Sequence, residues 1–212
     1  MKKLSICWGF AILFFMAAFL PAQQPKQPEA DKYRALLERA KRGDPTVGFL
    51  ELRRAYSDSP SFVDTGNGDD SRRMFEAYAR KDYSGALEYA RKILDINFCD
   101  IDAQQTAYLC YRELNDAERA DFHHNLSRNL IQSILQSGDG KSPETAMEVI
   151  TVREEYIILM VMGLRPTHQS LEASGGHQYD RMEATNRETQ EKVTLFFNID
   201  RTMAHWKKLL GR

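Results

Sequence analysis

Two stretches of the sequence share one pattern 34 positions apart, Lys81–Ala86 (KDYSGA) and Asn115–Ala120 (NDAERA), and they decide the first half of the fold. In each stretch an Asp precedes a segment whose apolar residues recur at the three- and four-residue spacing of an amphipathic helix. Asp is a favoured N-cap residue, because its carboxylate accepts hydrogen bonds from free amides of the first turn. We therefore predict helices near 82–95 and 116–136, each preceded by a partner helix, near 71–80 and 102–114.

This period resembles that of the tetratricopeptide repeat, whose 34-residue unit is a pair of antiparallel helices. The residues at family-like positions are Tyr83, Ala86 and Leu94 in the first unit and Ala107, Tyr111 and Ala120 in the second. A small side chain at 86 and 120 allows the second helix of each unit to lie close to the first. The Trp-x-x-Leu-Gly pattern that opens a typical repeat is missing from both units, so generic antiparallel helix hairpins remain the alternative.

The sequence upstream predicts two further helices, near 31–43 and 46–57, because apolar residues recur there at helical spacing. Gly43 separates the two, as a glycine often ends a helix. A long surface loop marked by Gly66–Asp70 then leads into the repeated stretches. We expect residues 31–137 to form one region of antiparallel helical hairpins.

Beyond Gly138 the pattern changes to short runs typical of strands. We predict strands near 146–150, 168–173, 177–184 and 193–199. Gly175-Gly176 predicts a tight hairpin turn between the second and third of these strands. Residues 138–212 are therefore expected to form an α+β region packed on the helices.

Two helices should flank this sheet. Thr151 and Glu154 have the spacing of a capping box before a buried helix, although Tyr156–Met162 also fits a core strand. Asp200 is expected to cap a last helix with an apolar stripe at Met203, Trp206 and Leu210. The residues expected to pack this region on the helices are Tyr156, Ile157, Met160 and Trp206. The predicted fold class is α+β, with tetratricopeptide-like antiparallel helical hairpins followed by a small antiparallel sheet with flanking helices.

The N-terminus has the pattern of a secretory signal peptide. Lys2 and Lys3 precede a nearly continuous apolar run, Ile6–Leu20, and a small residue, Ala22, follows it. We predict a signal peptide at 1–22 and a polar tether at 23–30, with cleavage after Ala18 or an uncleaved anchor as the alternatives. The mature protein is then expected to be exported, to the periplasm or outside the cell, without stable membrane insertion.

The charge of the chain argues against one class of partner. Its 29 Lys and Arg residues nearly balance its 30 Asp and Glu residues, for a formal charge of −1. A dedicated nucleic-acid binder needs a basic excess to displace counterions from phosphates. We therefore expect no nucleic acid among the partners of this protein.

Cys99 and Cys110 are the two cysteines that remain after the predicted cleavage. Export makes a disulfide the first hypothesis. The predicted helix near 102–114, however, places Cys110 about 12 Å along the axis from its start, whereas disulfide-linked Cα atoms lie within about 7 Å of each other. We expect two reduced, buried thiols.

Motifs for phosphate and metal binding fail on spacing. Gly140-Lys141-Ser142 resembles the end of a P-loop, but position 135, where the first Gly should stand, is Leu135. His123 and His124 are neighbours on a predicted helix and point about 100° apart, so they cannot both bind one ion as residues four apart can. We predict that these histidines lie on a solvated face, and we assign no cofactor and no metal.

One constellation could carry acid–base chemistry. His168 and His177 flank the predicted hairpin, and with Asp180 they could meet across its strands. The same spacing also arises by chance in hairpins of soluble proteins. No Gly-x-Ser-x-Gly motif is present, and neither remaining cysteine has the local signature of an activated thiol. We therefore assign no catalytic residue and leave enzymatic activity open.

Several motifs together resemble the bacterial domain of unknown function 4919 family. They are Gly43–Val47, Leu52-Arg53, Ala55-Tyr56, Gly138–Ala146, Glu154–Tyr156 and Phe197–Asp200. The resemblance covers roughly Asp31 to the C-terminus. It implies an exported envelope protein with no assigned reaction, and it supplies no catalytic residues.

These observations favour a non-catalytic binding or scaffold protein of the bacterial cell envelope. In this hypothesis the stacked helix hairpins form a shallow groove that holds an extended segment of another envelope protein. The alternative is a periplasmic or secreted hydrolase with a site on the C-terminal α+β region. A deep cleft where His168, His177 and Asp180 converge would favour the hydrolase.

Overall fold

The computed structural model describes residues 28–211, which form eight α-helices and four strands. The helices are α1 Pro28–Lys41, α2 Phe49–Asp58, α3 Asp69–Ala79, α4 Tyr83–Ile96, α5 Ile101–Glu113, α6 Ala117–Leu135, α7 Val152–Val161 and α8 Asp200–Leu209. The strands are β1 Met147–Glu148, β2 Leu164–Ser174, β3 His177–Asn186 and β4 Lys192–Asn198. A helical N-terminal region followed by a mostly antiparallel sheet with flanking helices confirms the predicted α+β class.

The predicted signal peptide, 1–22, lies outside the described residues. Helix α1 begins at Pro28, so residues 28–30 of the predicted tether are helical. Among residues 28–211 we find no helix with both the length and the apolar character needed to cross a membrane.

The two 34-residue units repeat in atomic detail. Lys81 and Asn115 both adopt a left-handed backbone, with φ of 63° and 59°. The next residue in each unit, Asp82 or Asp116, caps α4 or α6 by accepting a bond from the amide three residues later. The backbone bond from Asp82 to the Ala77 carbonyl recurs from Asp116 to Tyr111, again 34 positions on. Ala86 and Ala120 are both buried, as close packing of paired helices requires.

The sheet has the order β1-β4-β3-β2. Strands β2, β3 and β4 are antiparallel, and the two-residue β1 pairs parallel to β4. Gly175 and Gly176 both have positive φ and form the two-residue turn between β2 and β3, as predicted. Because β2 lies at an edge, most of its side chains are exposed.

Two apolar clusters fill the interior. The smaller one joins α3, α4 and α5 with the start of α6. The larger one draws on α1, α2 and α6 and also on α7 and the sheet, so residues from both sides of Gly138 share one core. Cys99 lies in the larger cluster and Cys110 in the smaller, and both are free and buried, which confirms the prediction for the thiols.

Three of the four residues expected to join the two regions are more exposed than predicted. Ile157 is buried in the larger core, but Tyr156, Met160 and Trp206 are 37%, 57% and 47% exposed. On α8 the buried and half-buried residues lie between Asp200 and His205, and every residue from Trp206 to Leu210 is exposed. The predicted apolar stripe of α8 is correct for Met203 and wrong for Trp206 and Leu210.

A buried ion pair connects α2 to α7. Arg53 Nη2 donates to Glu154 Oε2 at 2.6 Å, and the same guanidinium donates to the Glu148 carbonyl at 3.0 Å. Glu154 Oε2 also accepts from the Ile150 amide at 2.8 Å. The predicted capping box of Thr151 and Glu154 is therefore wrong, because the Glu154 carboxylate turns to Arg53 and Ile150, and the Thr151 side chain makes no capping bond.

Candidate functional site

An open cleft of about 870 Å³ lies on one side of α8, and we call it the α8 cleft. This volume lies within the usual range of ligand sites. Its walls come from five parts of the chain. They are the end of α2 with the turn after it, β1, the start of β3, the end of β4 and one face of α8 with its first residues. The lining residues are Ser57, Asp58, Ser59, Pro60, Phe62, Glu148, His177, Asn198, Asp200, Arg201, Ala204, His205, Lys208 and Leu209.

Helix α8 presents a single face to the cleft. Arg201, Ala204, His205 and Lys208 follow one another at intervals of three, one and three residues, which places them on the same side of an α-helix. The buried Thr202 and the half-buried Met203 occupy the side that faces the protein interior. Because Thr202 and Met203 hold one side of α8 against the protein interior, the other side, which is both polar and apolar, faces the cleft.

A chain of ion pairs holds the cleft wall together. Arg201 Nε donates to Glu148 Oε1 at 3.0 Å, and Arg201 Nη1 pairs with Asp58 Oδ1. Arg54 Nε donates to Glu148 Oε1 at 2.9 Å from the other side. Partial burial would raise the pKa of Glu148, but the bonds from Arg54 and Arg201 outweigh it and leave the pKa below its usual value. Glu148 is therefore a carboxylate at neutral pH.

A second pair in the cleft joins an imidazole to a carboxylate. His177 Nδ1 donates to Asp200 Oδ2 at 2.5 Å, and the Gln178 amide donates to Asp200 Oδ1 at 2.8 Å. Partial burial would raise the pKa of Asp200, but the bonds from Gln178 and His177 lower it below its usual value. The carboxylate orients the ring, which is the arrangement of a histidine that acts as a base or as a hydrogen-bond donor.

Apolar surface lies beside these charges. Phe62 packs edge-on against the His205 ring, with centroids 4.6 Å apart. Leu209, at the end of the lining face, is 71% exposed. The hydroxyl of Ser59 is buried in the lining, and Ser59 Oγ has no hydrogen-bond partner within residues 28–211. The cleft therefore combines polar groups with an apolar edge.

The family model for a domain of unknown function (DUF4919) matches residues 26–208. The chain belongs to this family. Comparisons with curated proteins and with solved structures gave no significant match. The DUF4919 match covers every secondary-structure element except the end of α8, and so includes all the lining residues of the cleft but Leu209.

The hypothetical acid–base constellation does not form in this DUF4919 chain. His168 is exposed on β2 opposite Glu183, whereas His177 begins β3 at the other end of the hairpin. Asp180 is three positions from His177 and therefore lies on the opposite face of the strand. It is buried and accepts from Gln169 at 2.7 Å. The structure brings only His177 into the α8 cleft.

The paired histidines on α6 differ from each other. His124 is exposed and stacks obliquely on Tyr108, consistent with the solvated face that we predicted. His123 is half-buried, lies parallel to Tyr111 at 5.5 Å and bonds to Gln104 Oε1 at 2.7 Å, so the prediction is wrong for this residue. Burial, with help from Arg91 and Arg119, lowers the pKa of His123 to about 4, so the ring is neutral at physiological pH.

Gly140-Lys141-Ser142 forms a turn, as its failed P-loop spacing indicated. Gly140 has a φ of 69°, and its amide and carbonyl bond to Thr145 and Phe196, which ties the turn to β4. Ser142 and Thr145 bond to each other's backbone in a capping box at a single 3-10 turn, Pro143–Thr145. Lys141 is exposed and pairs with Asp139.

A buried carboxyl pair is the polar cluster that sequence reasoning missed on the sheet. Glu155 is fully buried on α7, and its Oε1 has no hydrogen-bond partner in the described part of the chain. Gln169 Nε2 lies 3.5 Å from Glu155 Oε2 and 2.7 Å from Asp180 Oδ2. Burial, followed by the charge of Asp180, raises the pKa of Glu155 to about 9, so Glu155 carries a proton at neutral pH. The available signal was a charged residue in the first turn of α7, directly before the apolar run of that helix.

Metal coordination has no candidate among residues 28–211, where no three His, Cys, Asp or Glu side chains form a group that could hold an ion. The α8 cleft was also missed from sequence. Its central residue, Arg201, pairs with residues 53 and 143 positions away, and no local pattern encodes such contacts.

Proposed function

We propose that this protein is an exported, non-catalytic binding protein of the bacterial cell envelope that holds a segment of another envelope protein. Export is supported by the Lys-Lys start, the apolar run Ile6–Leu20 and the small residue at Ala22. The observation that carries the binding role is the α8 cleft, which is open, of ligand size and lined by both polar and apolar groups. The sequence suggested a groove on the helix hairpins, and we now place the binding site at this cleft.

The ion pairs among the side chains of the cleft wall support a binding role. Arg201 is held by Asp58 and Glu148, and Glu148 is held in turn by Arg54. Side chains fixed in this way lose little further freedom when a ligand arrives, which lowers the entropic cost of association. Ion pairs that link α2, β1 and α8 thus keep the walls of the cleft in place before any partner is present.

Photo-crosslinking in the native envelope tests this function. A photoreactive phenylalanine analogue replaces Leu209, which lies on the rim of the cleft and is 71% exposed. The matched control carries the analogue at Leu171, which is 59% exposed on β2 and outside the cleft lining. We expect a discrete protein adduct from position 209 and none from 171. No adduct at 209, or the same adducts from both positions, would contradict the proposal.

Fractionation tests the export. We expect the protein in the periplasmic or secreted fraction, with an intact mass that corresponds to a chain beginning at Gln23. A species that begins at Met1 and stays with membranes after a carbonate wash would show an uncleaved anchor instead.

One observation favours a hydrolase as the second candidate. His177 and Asp200 form an oriented imidazole–carboxylate pair within the cleft, the pairing that general bases use. The His168 and Asp180 grouping no longer supports this alternative, because the structure separates those residues from His177. Hydrolysis of nitrophenyl esters that His177→Gln abolishes and His168→Gln leaves unchanged would establish the enzyme. Equal rates for all three proteins would reject it.

A further inference from the structure

We propose that the ligand of the α8 cleft presents a carboxylate next to an apolar group. This inference rests on the proposed binding function and specifies the chemistry of what is bound. Three observations on the lining support it: the polar atoms that already have partners within the protein, the polar atoms that have none, and the position of the apolar surface.

The acidic groups of the cleft are already paired. Asp58 is bonded to Arg201, Glu148 to Arg54 and Arg201, and Asp200 to His177 and the Gln178 amide. A cationic ligand would have to compete with these internal partners for the same oxygens. The carboxylates therefore serve to hold the cleft together, and they are poor candidates for binding an amine or a guanidinium.

Most of the side-chain groups of the lining that remain unpaired are donors, while Asp58 Oδ2 is a free acceptor and Ser59 Oγ can donate or accept. Lys208 forms no ion pair among the described residues, and His177 Nε2, Asn198 Nδ2 and Arg201 Nη2 have no hydrogen-bond partner there, although other atoms of the same three side chains do. Hydrogen-bond acceptors on a ligand would satisfy these donors. The excess of free donors over free acceptors favours an anion.

The charge of that anion follows from the same pairing. Among the lining residues, Lys208 is the one lysine or arginine outside an ion pair. This unpaired ammonium group can form an ion pair with one negative charge on a ligand. A carboxylate meets this condition, whereas a phosphate monoester, with nearly two charges at neutral pH, would keep an unpaired one.

Apolar surface adjoins Lys208. Leu209 follows it on α8, and Ala204 lies one helical turn before it on the same face. Pro60 and Phe62, whose ring packs against His205 of α8, add to the apolar part of the lining. A carboxylate placed at Lys208 would therefore have its neighbouring group over apolar side chains, where burial of that group favours binding.

Two sources share this chemistry: the C-terminus of a peptide with an apolar last residue, and a free fatty acid. Binding of four probes to the mature protein, measured by calorimetry, separates them. The probes are the peptide acetyl-Ala-Ala-Leu-Phe as the free acid, the same peptide as the C-terminal amide, decanoate and decanol.

We expect at least one acid to bind about tenfold more tightly than its neutral counterpart, since a charge-assisted hydrogen bond stabilises a complex by about 1.4 kcal/mol or more. Preference for the peptide acid over its amide identifies a peptide terminus, and preference for decanoate over decanol identifies a fatty acid. Equal affinities of each acid and its neutral counterpart would overturn the carboxylate, while leaving the binding function intact. If none of the four binds, the inference is overturned, and the crosslinking experiment above decides the binding function separately.

A pair of neighbouring lysines provides the matched control. Lys208→Gln removes the unpaired positive charge of the cleft lining, whereas Lys207→Gln removes the same charge from an exposed residue outside the lining. We expect about a tenfold loss of acid affinity for Lys208→Gln, no change for the neutral probes and less than a twofold change for Lys207→Gln. Equal losses in both variants would show a non-specific charge effect and overturn the assignment to the cleft.

Discussion

Arg53 and Glu154 meet in the protein interior with Nη2 and Oε2 2.6 Å apart, although 101 positions separate them in the chain. Both side chains are almost completely buried. Because Arg53 also donates to the Glu148 carbonyl, the pair fixes the backbone of the residue whose carboxylate lines the α8 cleft. The next residue, Arg54, holds that carboxylate from outside. Two consecutive arginines thus position one cleft residue, the first through its backbone and the second through its side chain.

The first prediction concerns this pair. Arg53→Met should lower the free energy of unfolding by about 3–5 kcal/mol, because it leaves the Glu154 carboxylate buried without its partner. The double variant Arg53→Met with Glu154→Leu should be less destabilised than the sum of the two single variants, since it leaves no unpaired charge. Urea denaturation measures both. Arg72→Met, at a surface ion pair, is the control and should leave the midpoint nearly unchanged. Strictly additive effects would mean that Arg53 and Glu154 do not interact.

The second prediction concerns pH. The folded protein holds a proton on Glu155 up to a pKa of about 9, whereas the unfolded chain loses it near the ordinary value of 4.5. Protonated Glu155 therefore contributes fully to the free energy of unfolding below about pH 4.5. This contribution is lost as the pH rises to about 9, and the free energy of unfolding falls by at most about 1.4 kcal/mol per pH unit. Glu155→Gln should flatten the decline of stability between pH 6.5 and 9.

Glu155 dominates the lower part of this range, because the thiols of Cys99 and Cys110, whose pKa values are also raised by burial, lose protons in the unfolded chain only near their ordinary value of 9.0. Burial also raises the pKa of Asp100, to about 6, so that residue affects stability only at lower pH. Glu172→Gln on the edge strand β2 is the matched substitution and should keep the slope of the unmodified protein. An unchanged slope in Glu155→Gln would show that Glu155 is ionised in the folded protein.

The third prediction uses the two left-handed residues of the repeat. A side chain at positive φ costs free energy, least for Asn and Gly. Lys81→Gly should therefore stabilise the protein by up to about 1 kcal/mol, and Asn115→Gly by much less, since the glycine also adds freedom to the unfolded chain. Thermal unfolding measures the difference. If the two substitutions changed the stability equally, the lysine at 81 would cost no more than the asparagine at 115, and the prediction would be wrong.

The fourth prediction concerns the thiols. A chain cleaved after Ala22 should contain two free thiols when it is denatured without reductant. In the native protein burial raises the pKa of Cys110 to about 11 and raises that of Cys99 further, so alkylation at pH 8 should be slow. Finding no thiol in the denatured protein would show a disulfide, within or between chains.

The helices and the hairpin could be predicted because their signals are local. Asp82 and Asp116 cap helices with bonds to amides three residues away, and Gly175-Gly176 sets the β2–β3 turn through its own backbone. The same local reasoning failed at Glu154. Its spacing to Thr151 fits a cap, but a partner on α2 offered a buried guanidinium, and a charge-assisted bond in the interior is stronger than a capping bond.

The α8 cleft could not be predicted because each of its polar contacts joins distant segments. His177 was recognised as a candidate, but its carboxylate partner is Asp200. The sequence indicated Asp200 as a helix cap, which is wrong, because Ile199 occupies the N-cap position and the Asp200 carboxylate bonds to His177 and Gln178. Trp206 was expected in the core because it lies on the apolar stripe of α8, but it is 47% exposed. Helical spacing predicts which side of a helix is apolar and does not show how far along the helix that side contacts the core.

The contact between Arg201 and Asp58 spans 143 positions and joins α8 to the end of α2 across the cleft. A ribosome makes the chain from its N-terminus, so the local turns of α3–α6 can form while α8 is still unmade. The cleft, in contrast, exists only once synthesis has passed Leu209. A protein shortened before Asp200 would keep the sequence of every hairpin and lose the whole lining face of α8. Any partner that docks there would thus discriminate molecules that contain α8 from molecules that lack it.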